Sequence, residues 1–164
     1  MCGILVFVGR GIETEKLDKS LSLMKHRGPD FQNSIHFDNC VYMGHNRLSI
    51  IDLDQRSNQP FNSGDFVIVY NGEVYNYLEL IKEHNIILET QSDTEVVLKM
   101  YMKYGPKCLD YFNGMFAFVI YNKKTKEIFA ARDRLGIKPL YIYNHGNNLV
   151  FSSVIGRGDY AYRS

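Results

Sequence analysis

Apolar residues in this chain come in short runs separated by polar turns. Residues 4–8 are the first such run, β-branched and aromatic, closed by Gly9 and Gly11, and they predict a buried strand. Residues 13–25 switch to a helical period: Leu17, Leu21 and Met24 stand at i, i+4 and i+7 on one face. Arg27-Gly28-Pro29-Asp30 stops that helix, with Gly28 as C-cap and Pro29 just beyond. Residues 34–37 and 41–44 predict two short strands around an Asp38-Asn39 turn, and a polar loop then runs through Ser57-Asn58-Gln59-Pro60. Residues 66–70 form a continuous apolar run, expected for a strand covered on both faces. Residues 77–84 predict a short helix. Ser92-Asp93-Thr94-Glu95 opens a longer one, with Val96, Val97, Met100, Tyr101 and Tyr104 on its buried side, which Gly105-Pro106 closes. Two further hairpins pair residues 116–121 with 128–132 and 141–143 with 149–151. About eight strands, mostly in hairpins, with two main helices predict an α+β fold built on antiparallel sheets.

Composition narrows the picture. A chain of 164 residues suits one domain with a core of its own. There are 19 Lys and Arg against 18 Asp and Glu, with no basic stripe, so neither nucleic acid nor an anionic membrane is an expected partner. Cys2, Cys40 and Cys108 fit neither a disulfide framework nor a metal site. They suit a reducing, cytoplasmic compartment. No basic segment precedes residues 4–8, so they do not read as a signal peptide, and no apolar run is long enough to span a membrane.

The candidate chemistry begins at Cys2. Once Met1 is removed, the α-amine and the thiol belong to the same residue. An α-amine titrates near pH ~8 and is a usable base at neutral pH, able to take the thiol proton directly or through one water. The bland alternative is a small residue at the head of an apolar strand. Asn71-Gly72 reads alone as a two-residue hairpin turn; its functional reading is an oxyanion hole of side-chain and backbone N–H groups. Arg47, on a loop after a strand, is either a surface arginine or a fork for a small carboxylate. Ser92-Asp93-Thr94-Glu95 fits a capping box, and Asp93 adds a fixed carboxylate suited to an ammonium group. Arg132 to Tyr141 reads as a turn held by ion pairs. Arg157-Gly158-Asp159 spells an adhesion tripeptide by chance.

Together these pieces resemble a known family. Met1-Cys2-Gly3-Ile4, His26-Arg27-Gly28-Pro29-Asp30, Gly44-His45-Asn46-Arg47-Leu48-Ser49-Ile50-Ile51-Asp52, Asn71-Gly72-Glu73-Val74-Tyr75-Asn76, Ser92-Asp93-Thr94-Glu95, Gly114-Met115-Phe116-Ala117-Phe118 and the block from Arg132 to Tyr141 occur in this order at fitting intervals. The chain resembles the class II glutamine amidotransferase domain, an N-terminal-nucleophile hydrolase, and most of all the glutaminase half of asparagine synthetases. The resemblance implies a four-layer αββα sandwich over residues 1–153 and hydrolysis of L-glutamine to glutamate and ammonia. It implies Cys2 as nucleophile and Asn71 with Gly72 as the oxyanion hole. Arg47 would hold the α-carboxylate and Asp93 with Glu73 the α-ammonium, with Leu48, Ser49, Ile50 and Ile51 lining the pocket. Free glutamine carries one carboxylate, one ammonium and one amide, and this set offers a partner to each. The alternative is an idle module of the same fold that binds glutamine or a partner. Residues 154–164 depart from the family as a divergent tail. No Gly-rich phosphate loop exists in the sequence, so ATP and Mg are expected only through a synthetase domain or chain that would receive the ammonia.

Overall fold

Alternation along the first strand, β1 (Gly3–Val8), decides the layering. In the computed structural model, which describes residues 1–11, 13–48 and 57–155, its successive side chains point to opposite faces. Ile4 and Val6 enter a cluster with Val67, Val69, Val119 and Tyr121. Leu5 and Phe7 enter another, with Leu17, Leu21 and Met24. The first cluster lies between two sheets and the second lies under a helix, α1 (Thr14–Ser22).

The first sheet also contains β2 (Phe31–Phe37), β3 (Val41–Arg47), β8 (Tyr141–His145) and β9 (Asn148–Ser152), in the order β2-β3-β1-β9-β8. The second contains β4 (Phe61–Ser63), β5 (Phe66–Val74), β6 (Gly114–Asn122) and β7 (Ile128–Arg132), in that order. Every pairing is antiparallel. The outer face of the second sheet carries Ile68, Tyr70, Phe118 and Ile120, packed on α2 (Tyr77–His84) and α3 (Asp93–Tyr104) through Leu80, Val96, Val97 and Met100. The result is α1, sheet, sheet, then α2 and α3: the four-layer sandwich that the family resemblance implies.

Several local expectations change. The first helix stops at Ser22, and Lys25–Arg27 is a separate 3-10 turn. Gly28, at φ −151°, is no left-handed cap. It is glycine because a Cβ there would stand 2.3 Å from the Asn46 carbonyl oxygen, where the chain crosses β3. Asp38 and Asn39 do form the expected turn, both at positive φ. The strand β4 carries no alternation and was not expected; it is only three residues long.

The hairpin reading of Asn71-Gly72 is overturned. β5 runs straight through both residues, with Asn71 opposite Ala117 and Gly72 opposite Phe116. The capping box forms only half. Ser92 accepts from the Thr94 N–H, but the Glu95 carboxylate turns away to the Glu89 and Thr90 backbone N–H groups. The turn after β7 is held mainly by hydrogen bonds to backbone; its one ion pair among the described residues, Arg134 with Asp110 at 4.0 Å, is exposed. The Asp133 carboxylate accepts from the N–H groups of Phe116, Ile137 and Lys138, and Arg132 donates to the Lys138 carbonyl. Cys2, Cys40 and Cys108 are all free thiols. Among the described residues no helix is long and apolar enough to cross a membrane.

Candidate active site

The layering brings the head of β1, the end of β3, the middle of β5 and the first turn of α3 to one end of the sandwich. There they enclose a cavity of 110 Å³. Cys2 lies just before β1, half-buried, its Sγ 3.5 Å from the Leu48 N–H that donates to it and 3.8 Å from the Leu48 carbonyl oxygen. Its own carbonyl accepts from Arg27 Nε at 3.1 Å, which holds the residue from the other side. Burial pushes the Cys2 thiol up from its ordinary pKa. The Leu48 N–H, the terminal amine, Arg47 and Lys138 act in the opposite direction. Burial pushes the terminal amine of Met1 down, with Arg27 and Lys138 adding to that effect. The Cys2 and Asp30 charges act the other way on that amine.

Arg47 is not on a loop. It is the last residue of β3, 6 % exposed, and its guanidinium donates to the Asn58 side chain. A buried arginine on a strand end is a rigid fork, unlike the surface residue that the bland reading offered.

Asn71 is 1 % exposed, and its Nδ2 has no hydrogen-bond partner among the described residues. An orphaned donor at such depth costs about 1–3 kcal/mol, so its presence at the cavity points to an acceptor supplied by a ligand. Gly72 follows in the same strand. A Cβ at that position would meet the Met115 carbonyl oxygen at 2.4 Å, so glycine is what allows β6 to lie this close.

Asp93, the first residue of α3, is 4 % exposed. One carboxylate oxygen accepts from the Tyr70 hydroxyl at 2.7 Å and from the Val74 N–H at 3.0 Å. Burial raises its pKa; these two hydrogen bonds work against that rise. Glu73 is half-buried and lines the same cavity. Cys2, Arg47, Leu48, Asn71, Gly72, Glu73 and Asp93 thus all meet there. Ser49, Ile50 and Ile51 lie outside the described residues, as do residues 156–164 of the tail.

Two contributors escaped sequence reading. Gln59 accepts from the Tyr70 N–H at 2.6 Å and donates to Thr94 Oγ1 at 3.2 Å, tying β5 to α3 beneath the cavity. Its only sequence signal is a place before Pro60 in a polar loop. Lys138, inside what reads as a structural turn, is 7 % exposed and lines the cavity.

Comparison with known proteins identifies a family. A family model described as a glutamine amidotransferase domain matches residues 1–156. A Methanocaldococcus jannaschii protein provisionally named a glutamine-hydrolyzing asparagine synthetase is 43 % identical over 93 % of this chain. A Bacillus subtilis glutamine-hydrolyzing asparagine synthetase is 37 % identical over 94 % of it. The chain spans 34 % and 27 % of the lengths of those two relatives. Among solved structures, the glutamine phosphoribosylpyrophosphate amidotransferase of B. subtilis superimposes with a TM-score of 0.83 at 21 % identity, over 98 % of this chain and 44 % of that one. That last likeness is one of fold.

Proposed function

The chain belongs to the glutamine amidotransferase domain family, and from that premise we propose that it hydrolyses L-glutamine to L-glutamate and ammonia on Cys2. The observation that carries the reading is the unpartnered, buried amide nitrogen of Asn71 in the cavity that also holds the Cys2 thiol. A developing oxyanion is the acceptor it lacks.

The proposed steps give each of these groups a role. With Met1 removed, the Cys2 α-amine takes the thiol proton, and sulfur attacks the side-chain amide carbon of glutamine. The carbonyl oxygen becomes an oxyanion facing Asn71 and Gly72. The α-ammonium returns its proton to the amide nitrogen, the C–N bond breaks, and ammonia leaves a γ-glutamyl thioester. Water then attacks the thioester, gives its proton to the amine, and glutamate departs as the thiol is restored. Arg47 supplies a fork for the α-carboxylate. Asp93, helped by Glu73, supplies the counter-charge for the α-ammonium.

We read residues 1–153 as the glutaminase unit. The two asparagine synthetases it resembles support an asparagine-synthetase-type acceptor for the ammonia, on another domain or chain, in the cytoplasm. The test is a glutaminase assay on protein whose N-terminus is verified by intact mass. Protein beginning at Cys2 turns over and Met1-retaining protein does not, because its α-nitrogen next to Cys2 is an amide. Cys2→Ala abolishes turnover, and Asn71→Ala lowers kcat by roughly 10²-fold. Full activity with Met1 in place would overturn the amine-as-base step. Full activity of Asn71→Ala would remove the oxyanion assignment.

A further inference from the structure

Lys138 has no part in the mechanism above, yet its placement is built. Its backbone N–H donates to Asp133 at 3.0 Å, and its carbonyl accepts from Arg132 Nε at 2.7 Å. The same Asp133 carboxylate accepts from the Phe116 N–H at 3.2 Å, and Phe116 is the cross-strand neighbour of Gly72. The turn that carries Lys138 is thereby fastened to the strand pair that carries the oxyanion hole. Lys138 is 7 % exposed and lines the cavity with Cys2, and its ammonium forms no ion pair among the described residues. A buried ammonium without a fixed carboxylate is unfavourable on its own account. In this cavity an anion arises during the reaction, when Cys2 becomes a thiolate.

We propose that Lys138 is a positioning residue for the Cys2 chemistry, its ammonium held at the cavity wall so that the reacting residue loses a proton in the field of a fixed cation. The proposal rests on the glutaminase reading and deepens it. Other charged groups surround the amine, the thiol and their cavity: Arg27 and Asp30 from the segment after α1, Arg47 from β3, Glu73 from β5 and Asp93 from α3. Lys138 is the cation contributed by the turn after β7. Amine and thiol titrate as a coupled pair, and removing one proton from the pair changes its charge by −1 whichever atom gives it up. A nearby cation favours that loss in either case. Lys138 therefore acts on the pair as a unit: it extends the reactive form of Cys2 to lower pH.

The experiment is alkylation of Cys2 by iodoacetamide, followed across pH by intact mass, on protein that begins at Cys2. Lys138→Met moves the acid limb of Cys2 reactivity up by about one pH unit, so that below the limb alkylation is about tenfold slower than in the parent. Lys138→Arg, which keeps the charge, keeps the parent's limb. Circular dichroism checks each variant, and Lys138→Gln replaces the Met variant if that one does not fold. An unmoved limb in a folded, uncharged variant overturns the proposal, as does an Arg variant that behaves like Met. Glutaminase activity is assayed on the same samples. A shifted limb in a parent without glutaminase activity would leave Lys138 standing and remove the glutaminase reading. An active parent with an unmoved limb would remove Lys138 alone.

Discussion

Asp93 and His45 are both buried and ionisable, and burial acts on them in opposite ways. Burial raises the Asp93 pKa, and its carboxylate is held by Tyr70 and Val74. In Asp93→Asn the amide oxygen still accepts both hydrogen bonds, while the cost of a buried charge disappears. The expected outcome is a KM for glutamine raised about tenfold or more with an unchanged or higher melting temperature. An unchanged KM would place the ammonium site elsewhere. His45 is 0 % exposed, and burial pushes its pKa down to about 4. Its Nε2 lies 3.1 Å from the Tyr70 carbonyl oxygen, which only accepts, so Nε2 carries the proton and the ring is neutral. Below about pH 6.5 the unfolded histidine binds a proton that the folded one refuses until about 4. Stability therefore falls with pH across that window, by up to roughly 3 kcal/mol from this group. Urea midpoints at neutral and mildly acidic pH should show the loss, and His45→Gln should flatten it. Equal slopes in the two proteins would refute the assignment.

At the scale of elements, β5 is where function presses hardest on packing. Gly72→Ala would place a methyl 2.4 Å from the Met115 carbonyl oxygen and 2.6 Å from the Phe116 Cα. Both are backbone atoms, so β5 and β6 must part. The expected cost is about 3 kcal/mol by urea denaturation, with activity lost in whatever remains folded. A variant as stable and active as the parent would mean the strands tolerate separation. This strand also shows why sequence reading succeeded in some places and failed in others. Val67 to Tyr70 was legible because a buried strand needs an unbroken apolar run, and the 3.6 period placed Leu17, Leu21 and Met24 correctly under the first sheet. Asn71-Gly72 misled on local grounds, because turn chemistry favours those residues when nothing else is known. Only the register with Ala117 and Phe116, a contact between distant segments, makes them strand. Gln59 and Lys138 were invisible for the same reason: each is defined by what the fold lays across it.

For the whole molecule, chain order and spatial order disagree. β1 sits at the middle of its sheet, between β3 and β9. Its pairing with β9 joins Leu5 to Ser152, and the Ile4 N–H donates to the Ser153 hydroxyl at 3.0 Å. The entire second sheet is threaded between these two partners in the chain. Loops that long close slowly, and contacts of such sequence separation form late. A chain growing on the ribosome therefore carries Cys2 from the first moments of synthesis but lacks one flank of β1 until the β8-β9 hairpin has emerged. A nascent chain arrested before β8 should bind no glutamine and release no ammonia, and one arrested with β9 clear of the exit tunnel should do both. Under the proposed reaction, synthesis itself would time the onset of ammonia release.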